Sequence, residues 1–372
     1  MAQHGQRKAS GLSFGPSFNT KLGDHSIMPL RHLTKAVGAA VLLGSLALSV
    51  PVQAQTPTSM LETIRSRGNL ICGVNTGLAG FAQPDSQGVW RGFDVDYCHA
   101  IAAAVLGDGS KVRYVPLTAQ SRFTALQSGE VDVLVRNTTW TLSRDTSLGF
   151  DFTGISFYDG QGFMVKASLG LTSARELNGA TICVQPGTTT EQNLTDWARS
   201  NRIEFRPVVI ERVEEVVGAY TSNRCDAYTT DVSGLAATRA VQPRPEDHVI
   251  LPDVISKEPL GPLVRHGDQR FADVVRWTHF ALLGAEEFGL TTANVEQAAA
   301  SDPRPEVQRM LGKNGELGQM LGLEANWVVS VLKTTGNYGE IFARNLTPIG
   351  IQRGPNALWT TPGGLQYSPP FR

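Results

Sequence analysis

The sequence is poor in charged residues and has no excess of either sign. Charged side chains make up 18% of its 372 residues, and 33 Lys and Arg stand against 34 Asp and Glu, for a formal net charge of −1. An average soluble domain carries about 25% charged residues. Because binding to nucleic acid phosphates needs a basic face, this balance argues against a nucleic acid partner.

Sequence motifs for enzymatic chemistry are also missing. The chain contains no G-x-S-x-G, no H-E-x-x-H, no Walker A loop and no G-x-G-x-x-G. The histidines past residue 54 have no close metal-ligand spacing: His99, His248, His266 and His279. We therefore expect no catalytic residues, no metal site and no cofactor.

Long apolar runs are confined to the N-terminal region. A basic segment between Arg31 and Lys35 precedes an apolar run at 36–50, and the small residue Ala54 follows shortly after it. These are the three regions of a secretory signal peptide cleaved near Ala54. A membrane anchor is the alternative, but the run is shorter than the ~20 residues that span a bilayer. No cysteine directly follows the run, which disfavours a lipid anchor, and Met28 is a second candidate start.

Only four cysteines are present, and none are in C-x-x-C spacing. All of them lie past residue 54: Cys72, Cys98, Cys183 and Cys225. An even number of cysteines in an exported protein predicts disulfides, with three possible pairings. We favour Cys72–Cys98 and Cys183–Cys225, because each pair then falls inside one predicted lobe; four buried thiols are the alternative.

What the sequence does contain is a regular alternation of strand and helix patterns, twice over. The first series has predicted strands at 69–74, 111–117 and 131–135 and helices at 94–105 and 122–128. The second has predicted strands at 181–185, 208–210 and 226–230 and helices at 187–199 and 211–220. We expect Asp94 to cap its helix. This rhythm is typical of mainly parallel sheets covered by helices.

The two series share a short internal similarity. Residues 128–139 and 222–231 both read as a helix end, a turn, a strand and then a polar cluster. Convergence on a common turn is an alternative to an internal repeat. Ligands of open α/β sheets bind at the carboxyl ends of the strands, so two facing lobes would bring both polar clusters into one cleft.

We predict two lobes joined by two crossings of the chain. Residues 1–54 are the N-terminal extension with its signal peptide, 55–165 form lobe 1, 166–257 form lobe 2, and 258–372 return to lobe 1 as a helical extension. The crossings, near 165–166 and 255–257, make a natural hinge.

The polar side chains after the predicted strands suit a zwitterion. Arg122, Thr139 and Arg144 flank the end of one strand, and a guanidinium binds a carboxylate through two hydrogen bonds. Residues 187–190 precede a helix, whose free N–H groups favour an anion. Asp231 ends the matching strand and suits an ammonium group. The alternatives are that Arg144 pairs with Asp145 or another nearby acid on the surface and that Asp231 only caps its helix.

The segment GFDVDYCHAIA at 92–102 resembles the signature of the family 3 periplasmic solute-binding proteins of amino-acid ABC transporters. Further segments similar to that family are RFTALQSGEVDV at 122–133, NTTWTLSRD at 137–145, CVQPGTTTEQNL at 183–194 and RCDAYTTD at 224–231. Within the family, the chain is similar to the general L-amino-acid-binding proteins almost from end to end. The resemblance implies a two-lobed α/β fold of periplasmic-binding type II that closes over one ligand.

The resemblance also implies roles for single residues. The α-carboxylate of the ligand is bound by Arg144, Thr139, Thr189 and Thr190. The ammonium group is bound by Asp231 and Asn137. The side-chain pocket is lined by Phe81, Arg122, Asn75 and Thr188.

The function implied by the resemblance is that of the periplasmic substrate-binding component of an ABC importer for L-amino acids, with broad specificity. Its partners are the amino acid and the permease subunits in the inner membrane; we expect a monomer that is not an enzyme. Two alternatives use the same fold: a cyclohexadienyl dehydratase-like enzyme acting on arogenate or prephenate, and a protein that presents its ligand to a chemoreceptor.

Overall fold

The computed structural model describes residues 59–313 and 316–372. The predicted signal peptide and its cleavage site near Ala54 lie outside the described residues. The described helices are α1 Met60–Arg67, α2 Phe93–Leu106, α3 Ser121–Ser128, α4 Thr189–Asn201, α5 Val213–Thr221, α6 Val232–Ala240, α7 Gln269–Glu287, α8 Val295–Ser301, α9 Pro305–Met310, α10 Leu317–Met320, α11 Trp327–Thr335 and α12 Tyr338–Asn345. Among them, none combines the length and the apolar character that crossing a membrane requires.

The described strands form two larger sheets and two strand pairs. They are β1 Leu70–Asn75, β2 Gln83–Pro84, β3 Trp90–Arg91, β4 Val112–Leu117, β5 Val133–Leu134, β6 Phe150–Phe152, β7 Phe157–Asp159, β8 Gln161–Lys166, β9 Thr181–Val184, β10 Arg206–Val209, β11 Ala227–Asp231, β12 His248–Ile250, β13 Glu258–Leu260 and β14 Leu263–Arg265. The first sheet has the order β4-β1-β5-β14-β6 and the second the order β10-β9-β11-β8-β12.

The two sheets have the same topology. In each, the first three strands run parallel and the fourth is antiparallel to both of its neighbours, so four of the five strands point in one direction. The reversed strand β14 follows directly on β13, and β8 follows directly on β7, without a helical crossover. Both reversed strands therefore run away from the sheet edge at which the other strands have their carboxyl ends. The two similar segments of the sequence hold β5 and β11, the middle strands of the two sheets. The prediction of two mainly parallel sheets is confirmed.

The chain passes between the sheets through one pair of strands. β7 and β13 pair in antiparallel fashion, with Glu258 opposite Asp159. β8 already belongs to the second sheet, so the first crossing lies near Gly160 and not at 165–166. The predicted position was wrong because the apolar run of β8 directly continues that of β7 in the sequence. Which sheet a strand joins depends on its pairing with other strands, and the sequence does not show that pairing.

Helix α2 is the most deeply buried helix around the first sheet. It begins after Gly92, which has φ 134°; a Cβ built there would stand 2.1 Å from the carbonyl oxygen of Phe81. Glycine is therefore required at this helix start. The predicted cap Asp94 was wrong: its side chain makes no capping hydrogen bond, because the backbone turns at Gly92 and carries Asp94 into the first turn of the helix. The C-terminal α11 packs on α2.

Both predicted disulfides are present. Cys72 in β1 is bonded to Cys98 in α2, and Cys183 in β9 is bonded to Cys225, just before β11. The described residues contain no free cysteine, so the alternative of four buried thiols is wrong. Each bond fixes a strand whose carboxyl end carries predicted site residues.

Candidate functional site

Seven of the ten predicted site residues line one cavity where the two sheets face each other. Asn137 and Thr139 follow β5, Thr189 begins α4 after β9, and Asp231 ends β11. They surround a narrow cavity with a volume of about 20 Å³. Its lining residues are Ala119, Arg122, Arg136, Asn137, Thr139, Gln185, Thr188, Thr189, Thr190, Thr230 and Asp231.

Hydrogen bonds join the two sides of this cavity. The side-chain amide of Asn137 donates to Asp231 Oδ2 at 3.1 Å, and Asn137 Oδ1 accepts from Asn75 Nδ2 at 3.0 Å. The hydroxyl groups of Thr139 and Thr189 are 3.3 Å apart. Asn75 therefore supports Asn137 from behind, and does not itself line the cavity.

Asp231 is a buried carboxylate that faces the cavity. It stands at the N-cap position of α6 but accepts no capping hydrogen bond, so the alternative that it only caps its helix is wrong. Burial, followed by the negative charge of Glu258, raises the pKa of Asp231 to about 6, against the hydrogen bond from Asn137 and the charges of Arg122 and Arg136. A carboxylate held this way gains from a nearby cation.

The two predicted arginines, Arg122 and Arg144, are both buried next to the first sheet. Arg144 is 7% exposed, and its Nη1 donates to the carbonyl oxygen of Thr139 at 2.9 Å. Among the described ion pairs it has none with Asp145, so the alternative of a surface pair is wrong. Arg122 Nη1 donates to Thr138 Oγ1 at 3.2 Å. Both guanidinium groups lie over the ring of Phe123, at 4.7 Å for Arg122 and 5.2 Å for Arg144.

These guanidinium groups are short of negative partners. Burial lowers the pKa of Arg144, while the charges of Glu258 and Asp231 oppose the shift. Burial lowers the pKa of Arg122 well below its ordinary value, and the positive charges of Arg136 and Arg144 lower it further. The site therefore favours an anionic group near the arginines. Arg144 lies behind Thr139 and does not line the cavity itself.

Glu258 is a site residue that the sequence reasoning missed. Its buried carboxylate accepts hydrogen bonds from Thr139 Oγ1, from Thr189 Oγ1 at 2.8 Å and from Asn193 Nδ2 at 2.7 Å. Two hydroxyl groups predicted to bind the ligand thus donate to a carboxylate of the protein itself. Ser256 Oγ, two residues away, also donates to Glu258. No pattern in the sequence marks Glu258, because the other three partners lie at least 65 residues away.

The predicted pocket residues differ in their surroundings. Thr188 caps α4 by accepting from the backbone N–H of Glu191, and its own hydroxyl is 2.8 Å from that of Thr190. Phe81 is 1% exposed and packs edge-on against Phe93 and Phe157. It borders a smaller neighbouring cavity instead of the main one. A first-loop aromatic residue could be identified from the sequence, but not its depth in the core.

Arg136 is a second site residue that was not predicted from the sequence. It lines the main cavity, is 4% exposed, and opens the polar run RNTT that ends at Thr139. The signal was present in the sequence, since the same run supplied Asn137 and Thr139. Burial lowers the pKa of Arg136 to about 10, against the charges of Asp94 and Asp231.

The arrangement offers anion-binding donors on one side and a carboxylate on the other. Arginine and threonine side chains suit a carboxylate, and Asp231 suits an ammonium group. In the part of the chain that the structure describes, no group of three or more His, Cys, Asp or Glu side chains is placed to hold a metal ion.

Comparison with known proteins finds one family over most of the chain. Residues 70–344 match the bacterial extracellular solute-binding proteins, family 3. The glutamate/glutamine/aspartate/asparagine-binding protein BztA of Rhodobacter capsulatus is 55% identical over 336 residues, covering 90% of this chain and 99% of BztA. The general L-amino acid-binding periplasmic protein AapJ of Rhizobium johnstonii is 53% identical over 345 residues, covering 91% of this chain and 98% of AapJ.

Solved structures of similar proteins have the same fold. A periplasmic binding protein of an ABC transporter from Brucella ovis, with glutathione bound, superposes with a TM-score of 0.82 at 58% identity, over 84% of this chain and 99% of the other. An ancestral arginine-binding protein with arginine bound superposes with a TM-score of 0.52 at 28% identity, over 60% of this chain and 94% of the other.

Proposed function

The chain belongs to the bacterial extracellular solute-binding proteins of family 3, and from that membership we propose that it binds L-amino acids as the substrate-binding component of an ABC importer. It is a type II periplasmic binding protein in fold. The observation that carries the proposal is the cavity between the sheets, where buried arginines on one side oppose buried Asp231 on the other.

The roles of the site residues follow from this opposition of charge. The α-carboxylate of the amino acid binds to Arg144, Thr139, Thr189 and Thr190, and the ammonium group binds to Asp231 and Asn137. Arg122 and Thr188 border the side chain, with Asn75 and Phe81 behind them. Since Glu258 accepts from Thr139 and Thr189, the ligand carboxylate takes over those two donors or shares them with Glu258.

The organisation around the site is part of the proposal. The first sheet and the C-terminal helices form one lobe, the second sheet forms the other, and β7 with β13 is the hinge. The protein is exported to the periplasm after cleavage near Ala54, is a monomer, and delivers a broad range of amino acids to permease subunits in the inner membrane. The supporting relatives are named as amino-acid-binding proteins, one of them as a general and periplasmic one.

Substitutions at the two ends of the site test the proposal. Arg144→Ala and Asp231→Ala should each weaken binding of an L-amino acid by about 2–5 kcal/mol, because each leaves a buried opposite charge without its partner. Isothermal titration calorimetry against the twenty amino acids measures this. The exposed residues Arg224 and Asp196 provide the controls Arg224→Ala and Asp196→Ala. Unchanged affinity in both site variants would overturn the assignment.

We propose further that the chain leaves its ligand chemically unchanged. The curated relatives that match it over most of its length are named as binding proteins. Incubation with prephenate or arogenate, followed by absorbance, separates this proposal from a dehydratase-like activity on the same fold. Formation of an aromatic product at a rate above that of a protein-free sample would contradict it.

A further inference from the structure

A buried carboxylate outside the ligand cavity joins the two sides of the molecule. Glu258, on β13, is 1% exposed and accepts hydrogen bonds from both sides. Thr139 donates from the loop after β5 of the first sheet. Thr189 and Asn193 donate at 2.8 and 2.7 Å from α4, which packs on the second sheet. These four residues, named here the Glu258 junction, hold the two sides together when the sides are close.

Both oxygens of this carboxylate are used, and all of the donors are neutral. Glu258 Oε2 accepts from the hydroxyl groups of Thr139 and Thr189, and Oε1 accepts from Asn193 and from Ser256. Four donors suit an ionised carboxylate, which can only accept hydrogen bonds. Hydrogen bonds to an ionised group are stronger than those between neutral groups. The Glu258 junction therefore favours the close arrangement of the two sides.

The junction has partners that the ligand does not need. Neither Glu258 nor Asn193 lines the main cavity. By contrast, the bond from Asn137 to Asp231 uses groups that are proposed to bind the ammonium group, so a ligand replaces it. Thr189 is the first residue of α4, where backbone N–H groups have no partner within the helix. A ligand carboxylate can bind there while the hydroxyl group of Thr189 still donates to Glu258.

We propose that the Glu258 junction is a latch through which the protein itself favours closure, and that the latch raises the affinity for every amino acid by one common factor. This rests on the proposed amino-acid binding. A ligand that binds the closed form has an apparent affinity proportional to the fraction of closed molecules. Hydrogen bonds between the two sides raise that fraction before a ligand arrives. Their effect is therefore independent of the side chain that the ligand carries.

The inference assigns Glu258 a different role from Arg144 and Asp231. Those two residues bind the two ends of the zwitterion, whereas Glu258 is a positioning residue that acts through Thr139 and Thr189. A contribution to closure that is common to all ligands leaves less of the closure to depend on the ligand side chain. Such a latch suits a protein of broad specificity.

Asn193→Ala tests the latch without changing the charge around the site. Alanine favours helices, so α4 should fold normally. Loss of a hydrogen bond to a charged group should lower the ratio of closed to open molecules by about tenfold. The matched control is Asn201→Ala in the same helix, because the side chain of Asn201 donates to the carbonyl oxygen of Trp197 within that helix. The control should change neither closure nor affinity.

Calorimetry with L-glutamate, L-glutamine and L-alanine is the first measurement. Ligand binding is expected to close a protein that is mostly open when free, so the affinity falls by the same factor as the closed fraction. Asn193→Ala should therefore weaken all three ligands by about tenfold and leave their affinity ratios unchanged within about threefold. Unequal weakening would mean that Asn193 acts on the ligand side chain, and unchanged affinities would mean that the junction has no effect on binding. Either result would overturn the inference.

Single-molecule fluorescence energy transfer measures closure without a ligand. All four cysteines are disulfide-bonded, so dyes attach to thiols introduced at the exposed positions Gln87→Cys on the first side and Glu246→Cys on the second. The closed fraction should be about tenfold lower in Asn193→Ala than in the otherwise native protein. An equal closed fraction would overturn the latch. A native protein that closes in this way but binds none of the three amino acids would instead overturn the proposed function.

Glu258→Gln provides a second variant that is read by the same two measurements. Glutamine keeps the shape of the side chain but removes the charge that strengthens the hydrogen bonds. The closed fraction should fall at least as far as in Asn193→Ala. In the Glu258→Gln background, Asn193→Ala should have a smaller effect than alone, because it acts through that carboxylate. An effect of the same size in both backgrounds would contradict the role of Glu258.

Discussion

At the scale of single residues, the site is defined by buried charges that the protein does not neutralise internally. Arg122, Arg136 and Arg144 are each at least nine-tenths buried and form no described ion pair. Asp231, Glu258 and Asp94 are the carboxylates whose negative charges act on these guanidinium groups. Folding has already removed each of these groups from water. A ligand that carries the complementary charges therefore gains electrostatic attraction to groups that are already desolvated.

The raised pKa of Asp231 leads to a pH dependence of binding. The ammonium group of the ligand needs an ionised carboxylate, and burial with the charge of Glu258 raises the pKa of Asp231 to about 6. Affinity should therefore be constant above about pH 7 and fall below pH 6, approaching tenfold per pH unit. L-alanine is the ligand to use, since its side chain carries no titratable group. Calorimetry that shows equal affinity at pH 7.5 and pH 5 would contradict this role of Asp231.

At the scale of elements, the disulfides hold the strands whose ends carry the site. Cys72–Cys98 ties β1 to α2, the helix that bears Asp94 in its first turn. Cys183–Cys225 ties β9, which leads to Thr188 and Thr189, to the start of β11, which ends at Asp231. Cross-links of this kind restrict the unfolded chain and so stabilise the folded one.

Removal of either disulfide should lower the free energy of unfolding. The bonds enclose 26 and 42 residues, for which chain entropy gives about 3.5 and about 4 kcal/mol. We expect losses of that order in the double variants Cys72→Ser/Cys98→Ser and Cys183→Ser/Cys225→Ser, measured by denaturant unfolding. The matched control is the wild-type protein with its disulfides intact in the same buffer. Variants as stable as that control would contradict a stabilising role.

At the scale of the whole molecule, the two sheets meet through the strand pair of β7 and β13 and through side chains around the cavity. Glu258 connects both sides, since it accepts from Thr139 after β5 and from Thr189 and Asn193 in α4. Its position on β13 places this junction on the strand pair that we propose as the hinge. A ligand that contacts both sides stabilises the arrangement in which the sides are close. The size of this effect equals the difference between its binding free energies for the close and the open arrangement.

Ligand binding should make the molecule more compact and more stable. With a bound amino acid at 100 times its dissociation constant, mass action adds about 2.7 kcal/mol to the free energy of unfolding. We expect small-angle X-ray scattering to show a smaller radius of gyration, because the ligand bridges the lobes. Asp231→Ala at the same ligand concentration should show neither change. A ligand that stabilises the protein without any contraction would contradict closure of the lobes.

The sequence by itself determined the two strand–helix series and the disulfides, and it supplied most of the residues proposed for the site. Strand and helix patterns depend on local periodicity, so the two βα series could be identified in advance. Polar residues after β5 and β11 follow from the rule that ligands bind at the carboxyl ends of strands. The disulfide pairs followed from assigning each pair to one lobe.

Only the tertiary structure decided how the buried charges are combined. Glu258 accepts hydrogen bonds from side chains 65 or more residues away. Arg136, just after β5, lines the same small cavity as Asp94 in α2, although the two elements are separate in sequence. The sequence suggested a helix cap for Asp94 and a pocket wall for Phe81, because both roles are judged from neighbours along the chain. Burial and charge pairing depend on neighbours in space, and those are set by the packing of the two sheets and the helices on them.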